Sequence, residues 1–204
     1  MAPAATPRKR PRQVRSQETY DAIVEAAAQL FERDGYTKAT TNGIAERAGV
    51  SIGSLYQYFP NKDALLYAIG EQHVRHAVAE LARLSEGLRR DRPPLADCIH
   101  TLVTALAALH LAQPRMHRLL YDQAPRPVET AAQLREVQRS VAAEVEFHLR
   151  RLGLGEPAPD LTAILLVQGV EAQLHGALLD PPDGHTIDEV LQAVETLCLK
   201  ALAP

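Results

Sequence analysis

Residues 40–62 read TTNGIAERAGVSIGSLYQYFPNK, and this stretch decides the fold of the N-terminal region. It contains two short helical patterns separated by a turn at residues 48–51. Gly49 can take a backbone conformation that bulkier residues resist, Val50 fills the angle between the helices, and Ser51 starts the second one. The stretch therefore predicts a helix-turn-helix.

Helical patterns continue on both sides of this motif. The predicted helices cover residues 16–35, 41–48, 52–59, 62–88, 95–110, 115–121, 128–152, 160–179 and 187–202. Side chains that can cap a helix stand at the starts of the first four: Ser16, Thr40 or Thr41, Ser51 and Asn61. Glycine and proline separate the helices, and no run of alternating β-branched residues predicts a strand. We therefore expect an all-α fold of about nine helices.

Charge is distributed unevenly along the chain, whose formal net charge is -3. Residues 1–62 carry nine basic and six acidic residues, whereas the remainder carries thirteen basic and nineteen acidic ones. Five cations lie within the first sixteen positions: Arg8, Lys9, Arg10, Arg12 and Arg15. Such an arm is either a solubilising tail or a segment that enters a minor groove of DNA. Because it precedes the helix-turn-helix, we expect residues 1–15 to be a disordered arm whose Arg12 and Arg15 contact DNA.

The second helix of the motif carries the side chains expected to meet DNA. In a helix-turn-helix this helix enters the major groove, where its early residues reach base edges. Its exposed face is expected to contain Ile52, Gly53, Ser54, Tyr56, Gln57 and Tyr58. Small residues let the backbone approach the bases, and tyrosines offer hydroxyls and flat rings to phosphates and thymine methyl groups. These features predict a DNA-binding transcriptional regulator.

The order of residues in this stretch resembles the DNA-binding signature of the TetR family of bacterial repressors, over about residues 16–70. The resemblance implies that Thr41 holds a phosphate, with Thr40 beside it, and that Asn42 reaches a base or a phosphate. It places these residues in the groove: Ser51, Ile52, Gly53, Ser54 and Tyr56. Tyr58 and Lys62 would clamp the DNA backbone.

The resemblance also implies the domain organisation and the partners. Residues 16–62 would form the DNA-binding domain, and residues 63–204 a helical effector-binding and dimerisation domain. The last two helices are apolar on more than one face, which fits a homodimer that binds a near-palindromic double-stranded DNA operator. A small, largely apolar effector would release a repressor from that operator. Polar residues set among apolar ones are the candidate effector ligands: His73, His110, His117, Tyr121, His148, Gln168, Glu171 and His175.

Metal and cofactor sites are not expected. His73, His76 and Glu80 share a helical face, but a single helix seldom completes a metal site. Residues 153–158 match the glycine pattern of dinucleotide-binding loops, but a helix precedes them and Pro157 stands where a helix would open.

Other function classes are less well supported. No catalytic motif predicts an enzyme, so a helical enzyme is a remote alternative; an architectural or cell-division DNA-binding protein without an inducer is a nearer one. Cys98 and Cys198 lie far apart in a chain that opens on a basic arm, so we expect free thiols and a cytoplasmic location. Apolar stretches such as residues 161–170 are interrupted by polar residues and are expected to be too short to cross a bilayer, so no membrane contact is expected.

Overall fold

The computed structural model describes residues 6–7, 14–122 and 128–202. The described residues form nine α-helices and no strand, which confirms the predicted fold class. The helices are α1 Val14–Asp34, α2 Thr41–Arg47, α3 Ile52–Tyr58, α4 Lys62–Asp91, α5 Leu95–Leu111, α6 Pro114–Asp122, α7 Val128–Leu152, α8 Pro159–Gln173 and α9 Ile187–Ala201. A π-helical turn, Leu174–Leu178, continues α8.

The start of α1 differs from the prediction. The helix begins at Val14, so Ser16 lies inside it and the prediction that Ser16 caps it is wrong. Arg15 consequently stands on an exposed position of α1 rather than in an arm. The other four cations, Arg8, Lys9, Arg10 and Arg12, lie outside the described residues.

The other predicted caps are confirmed. The backbone N–H of Gly43 donates to Thr40 Oγ1 at 3.1 Å, which identifies Thr40 rather than Thr41 as the cap of α2. Ser51 Oγ accepts from the backbone N–H of Ser54 at 3.0 Å, and Asn61 Oδ1 accepts from Ala64 at 2.9 Å. Each bond satisfies an N–H group that the first turn of a helix leaves without a partner.

The chain divides into two units, of which the first contains the described residues up to Arg75 and those between Gln113 and Thr130. Its core joins α1, α2, α3, the first part of α4 and α6. The largest fully buried side chains there are Ile23, Phe31, Ile44, Leu55, Phe59, Leu65, Leu66 and Met116. The start of α6 is also tied to α1, since the backbone N–H of Met116 donates to the Glu32 carboxylate at 2.6 Å.

The second unit contains residues 76–112 and the described residues from 131 onward. Apolar side chains of α5, α8, the π-helical turn and α9 form its main core: Val103, Ala107, Val170, Leu174, Leu178, Val194 and Cys198. A smaller cluster joins Leu149, Ala163 and Leu202. Thr186 and Glu189 form a capping box that fixes the start of α9.

One helical run, Pro159–Leu178, is twenty residues long and apolar enough to cross a bilayer by length and composition alone. The prediction that the apolar stretches are too short is therefore wrong for this run. Ala163, Val170 and Leu174 occupy the core of the second unit, which accounts for part of its apolar character.

Candidate DNA interface and effector cavity

The turn between α2 and α3 has the geometry that the sequence predicts. Gly49 has a φ of 68°, in the left-handed region that favours glycine. The backbone N–H of Val50 donates to Ala45 O at 3.0 Å, and the Val50 side chain packs against the core of the first unit. The turn thereby sets the direction in which α3 leaves α2.

The two faces of α3 differ in polarity and exposure. Leu55, Tyr58 and Phe59, spaced by three and four residues, share the buried face. Ser51, Ile52, Gly53, Tyr56 and Gln57 are exposed, and Ser54 is half-buried. The prediction that Tyr58 lies on the exposed face is wrong, because only 8% of it is accessible and its ring packs edge-on against Tyr20.

A hydrogen bond joins the start of α2 to the second half of α3 at this surface. The hydroxyls of Thr41 and Tyr56 lie 3.0 Å apart, and Tyr56 is 41% exposed. Asn42 and Thr40, next to Thr41, are also exposed. The structure therefore brings most of the predicted DNA-contact residues onto one exposed surface of the first unit; their contacts with DNA remain predictions.

Lys62 is placed differently from the phosphate clamp that was expected. Its ammonium donates to the carbonyl oxygens of Tyr36 and Ala39 at 2.6 and 3.1 Å, with Thr37 O at 3.4 Å. The same nitrogen lies 4.5 Å from the centre of the Tyr36 ring. These contacts join the start of α4 to the loop between α1 and α2, so a bond to phosphate would compete with them.

Tyr36 completes this junction. Its hydroxyl donates to Asp63 Oδ1 at 2.5 Å, and its ring packs against Phe31. Burial, followed by the Asp63 carboxylate, raises the pKa of Tyr36 far above its usual value. The phenol therefore stays protonated and can act as a donor at any physiological pH.

The second unit contains a cavity of about 70 Å³ between α5, α7, α8 and α9. Fifteen residues line it: Leu95, Cys98, Ile99, Leu102, Val103, Leu106, Val141, Val145, His148, Leu149, Leu166, Val167, Val170, Cys198 and Leu202. The surface that they present to the cavity is entirely apolar. Such a lining suits a ligand that binds by burial of apolar surface.

His148 belongs to an ionic network in which the side chains of His148 and Glu144 are buried and that of Arg89 is half-exposed. Glu144 accepts from Arg89 Nε at 2.6 Å and pairs with His148 Nε2 at 3.1 Å. Arg151 Nε donates to His148 Nδ1 at 2.8 Å. Burial, followed by the charge of Arg151, lowers the pKa of His148 below its usual value, so the imidazole is neutral at physiological pH.

Both cysteines of the chain line the cavity, and both are free and buried. Burial raises the pKa of the Cys98 thiol, and burial together with Glu195 raises that of Cys198. Both thiols are therefore neutral at physiological pH and contribute to the cavity as small apolar groups.

The structure brings one of the eight candidate effector residues, His148, to this cavity. His110 and His175 instead pair within the second unit, with His110 Nε2 3.1 Å from His175 Nδ1. His110 Nδ1 also lies 2.7 Å from Leu106 O, at hydrogen-bonding distance. Their role as effector ligands remains a prediction.

The remaining candidates lie elsewhere. The rings of His73 and His117 pack against each other in the first unit, 5.1 Å apart. Tyr121 and Gln168 are exposed. The Glu171 carboxylate accepts a hydrogen bond from the Gln138 side chain.

The predicted effector ligands were all polar residues, so the apolar residues that line the cavity were not predicted. A usable signal was present: α5 and α8 carry more apolar positions than one core face of a helix requires. In α8, Ala163 and Val170 enter the core, and Leu166, Val167 and Val170 line the cavity.

A third face of α8 and one of α9 expose large apolar side chains among the described residues. On α8, Leu161 and Leu165 are 52% and 58% exposed, with Ile164 beside them. On α9, Leu197 is 55% exposed. Grouped apolar exposure of this kind marks surfaces that another molecule covers.

Two family models match the chain. One describes bacterial regulatory proteins of the tetR family and matches residues 23–69; the other describes the C-terminal domain of tetracyclin repressor-like proteins and matches residues 94–202. The HTH-type transcriptional regulator UidR of Escherichia coli is 24% identical over 169 residues, which are 82% of this chain and 84% of UidR.

Solved structures agree with this fold. A transcriptional regulator of the TetR/AcrR family from Thermobifida fusca has a TM-score of 0.71 at 23% identity, covering 92% of this chain and 99% of its own. SmeT, the repressor of the Stenotrophomonas maltophilia multidrug efflux pump SmeDEF, has a TM-score of 0.61 at 26% identity. The match covers 93% of this chain and 92% of the SmeT chain. The structure of SmeT in complex with triclosan has a TM-score of 0.62 at 25% identity, covering 91% of this chain and 92% of its own.

Proposed function

Because this chain belongs to the TetR family of bacterial regulatory proteins, we propose that it is a dimeric cytoplasmic repressor that a small apolar effector releases from a near-palindromic operator. Family membership makes the chain a DNA-binding transcriptional regulator. One observation carries the rest of the proposal: the chain combines an exposed α3 face with an apolar cavity in its second unit.

The chemistry of the α3 face supports operator binding. Gly53 leaves the backbone accessible, and Ile52 and Tyr56 expose apolar surface that thymine methyl groups and sugars can cover. The proposed contact set is Thr40, Thr41, Asn42, Ser51, Ile52, Gly53, Ser54, Tyr56 and Gln57, with Arg12 and Arg15 in the adjacent minor groove. Burial of Tyr58 argues against its membership of this set, and the bonds of Lys62 to the carbonyl oxygens of Tyr36 and Ala39 compete with its predicted contact to phosphate.

The exposed apolar faces of α8 and α9 support dimerisation through the last two helices. Fully burying an exposed leucine side chain contributes about 1.5–3 kcal/mol. Leu161, Leu165 and Leu197 are a little more than half exposed, so covering each of them supplies roughly half of that value in each protomer. A two-fold dimer presents two copies of α3, and such a pair reads half-sites separated by about 34 Å. The operator is therefore expected to be a near-palindrome.

The cavity supports control by an effector. It is smaller than the cavities of about 150 Å³ that take up benzene, so a one-ring ligand fits only when the lining helices move apart. A ligand that binds the widened form shifts the protein toward that form. If the widened form binds the operator less tightly, the effector lowers the affinity for the operator, and the operator lowers the affinity for the effector by the same factor. The complex of the similar protein SmeT with triclosan is consistent with a ligand-responsive second unit.

Release from operator DNA tests the proposal. Toluene or naphthalene is added to a complex of the protein and a fluorescent operator fragment, and anisotropy reports bound DNA. We expect release from the wild type and little release from Val167→Phe, which fills the cavity from its wall. Operator binding that neither compound weakens favours an architectural DNA-binding protein, and failure to bind any DNA contradicts the proposal.

A further inference from the structure

We propose that the cavity selects effectors that form no hydrogen bond inside it, and that Arg151 enforces this selectivity by occupying the acceptor nitrogen of His148. The inference rests on the proposed function, because it takes the cavity as the effector site. Arg151 does not line the cavity, so it acts through the lining residues His148 and Cys98.

The two nitrogens of His148 are both engaged. Arg151 Nε–H donates to Nδ1 at 2.8 Å, so Nδ1 bears no hydrogen, and the neutral ring carries its hydrogen on Nε2. That hydrogen is donated to Glu144 Oε1 at 3.1 Å. The ring therefore offers a ligand carbon atoms only, although histidine is the lining residue with the most polar side chain.

Arg151 also engages the neighbouring polar groups. Its Nη2 donates to Cys98 Sγ at 3.5 Å and to the carbonyl oxygen of Pro93. The Cys98 thiol in turn donates to Pro93 O at 3.6 Å. His148 Nδ1 lies 3.8 Å from Cys98 Sγ, which places this shared junction beside a second lining residue. The Arg151 guanidinium therefore donates to all three of these acceptors: His148 Nδ1, Cys98 Sγ and Pro93 O.

A ligand hydroxyl that enters the cavity gives up its hydrogen bonds to water and meets no accessible nitrogen or oxygen atom, because the lining surface is entirely apolar. Apolar pockets reject an isostere that carries a hydroxyl by about 100-fold. Toluene and phenol have nearly the same shape and differ in a methyl against a hydroxyl group. We therefore expect the wild-type dimer to bind toluene about 100-fold more tightly than phenol.

Removing the guanidinium should expose the acceptor. In Arg151→Met the Nδ1 atom of His148 becomes available, and one hydrogen bond between neutral groups is worth about tenfold in affinity. The toluene-to-phenol affinity ratio should fall accordingly, to about 10. Arg150→Met is the matched control: Arg150 is the adjacent arginine, bonded at the surface to Glu146 at 2.7 Å, and its loss should leave the ratio unchanged.

The experiment measures toluene and phenol binding to the full-length dimer by isothermal titration calorimetry. A wild type that binds both compounds equally overturns the inference and leaves the effector site standing. An Arg151→Met ratio equal to the wild-type ratio overturns the role of Arg151. Toluene binding that is absent, or that Val167→Phe does not reduce, overturns the proposed effector site and the inference with it.

The double variant His148→Leu/Arg151→Met keeps the inference testable if Arg151→Met fails to fold. It removes the imidazole nitrogens together with the guanidinium that bonds to them, while Glu144 keeps its bond to Arg89, so the preference for toluene should persist at about 100-fold. A preference that disappears in the double variant contradicts the inference, because the wall would then be apolar without being selective.

Discussion

Replacing Lys62 with methionine should lower the free energy of unfolding by about 2 kcal/mol. The ammonium donates to Tyr36 O at 2.6 Å and to Ala39 O at 3.1 Å, and it lies over the Tyr36 ring. Methionine retains the length of the side chain but donates no hydrogen bond. The variant therefore removes the bonds between the start of α4 and the loop that precedes α2.

The magnitude follows from the number of bonds and from solvent access. A hydrogen bond from a charged donor contributes about 1.5–3 kcal/mol, so the two shorter bonds set an upper limit of about 3–6 kcal/mol. Lys62 is half-buried, so water can replace the ammonium at the carbonyl oxygens in the variant. We expect this replacement to recover about half of the loss, which leaves about 2 kcal/mol.

Urea unfolding followed by circular dichroism measures the effect. Lys38→Met is the control, because Lys38 is an exposed lysine of the same loop and its loss should change stability by less than about 0.5 kcal/mol. The phosphate-clamp prediction makes the opposite forecast for Lys62→Met: unchanged stability and weaker operator binding. Equal unfolding of Lys62→Met and wild type, together with weakened DNA binding, would refute the structural role.

Three further predictions concern the DNA surface, the dimer and pH. Tyr56→Ala should weaken operator binding by about 1–3 kcal/mol in a DNA titration while the helical content is retained, and unchanged affinity would remove Tyr56 from the contact set. Leu165→Glu places charge on the exposed apolar face of α8 and should give a monomer in sedimentation velocity; an intact dimer would contradict burial there. Because burial and Arg151 lower the pKa of His148, the unfolded chain takes up a proton that the folded protein excludes, and stability should fall as the pH drops below about 6.5. This fall should be shallower in His148→Leu when urea unfolding is compared at about pH 8 and about pH 5.5, and equal slopes would count against a depressed pKa.

Local signals allowed most of the fold to be predicted. The caps Thr40, Ser51 and Asn61 each act on an N–H group within three residues, so their geometry depends on little beyond the local sequence. The positive φ of Gly49 has the same local origin. Ser16 was a misleading signal, because α1 continues past it toward the N-terminus.

The limits of sequence reasoning appear where packing between helices decides the outcome. The rotation of α3 about its axis decides whether Tyr58 is exposed or buried. In the structure Tyr58 is buried in the core of the first unit, together with Leu55 and Phe59. Periodicity likewise marks α5 and α8 as apolar but does not tell which residues leave a cavity between them. The positions of polar residues therefore did not locate the cavity. Cys98 and Cys198, which line it, were not among the predicted effector residues.

Selection of DNA from a random-sequence pool, with the wild type and with Gly53→Glu, tests most directly whether α3 reads DNA. A Cβ at Gly53 would meet only Ser51 Oγ at 3.8 Å, so the variant should fold, while its carboxylate would face the phosphates. We expect the wild type to enrich a near-palindrome with half-sites about 34 Å apart, and the variant to enrich nothing above background. Enrichment of the same sequences by both proteins, or of sequences without two-fold symmetry, would contradict the assignment of α3 as the reading helix of a symmetric dimer.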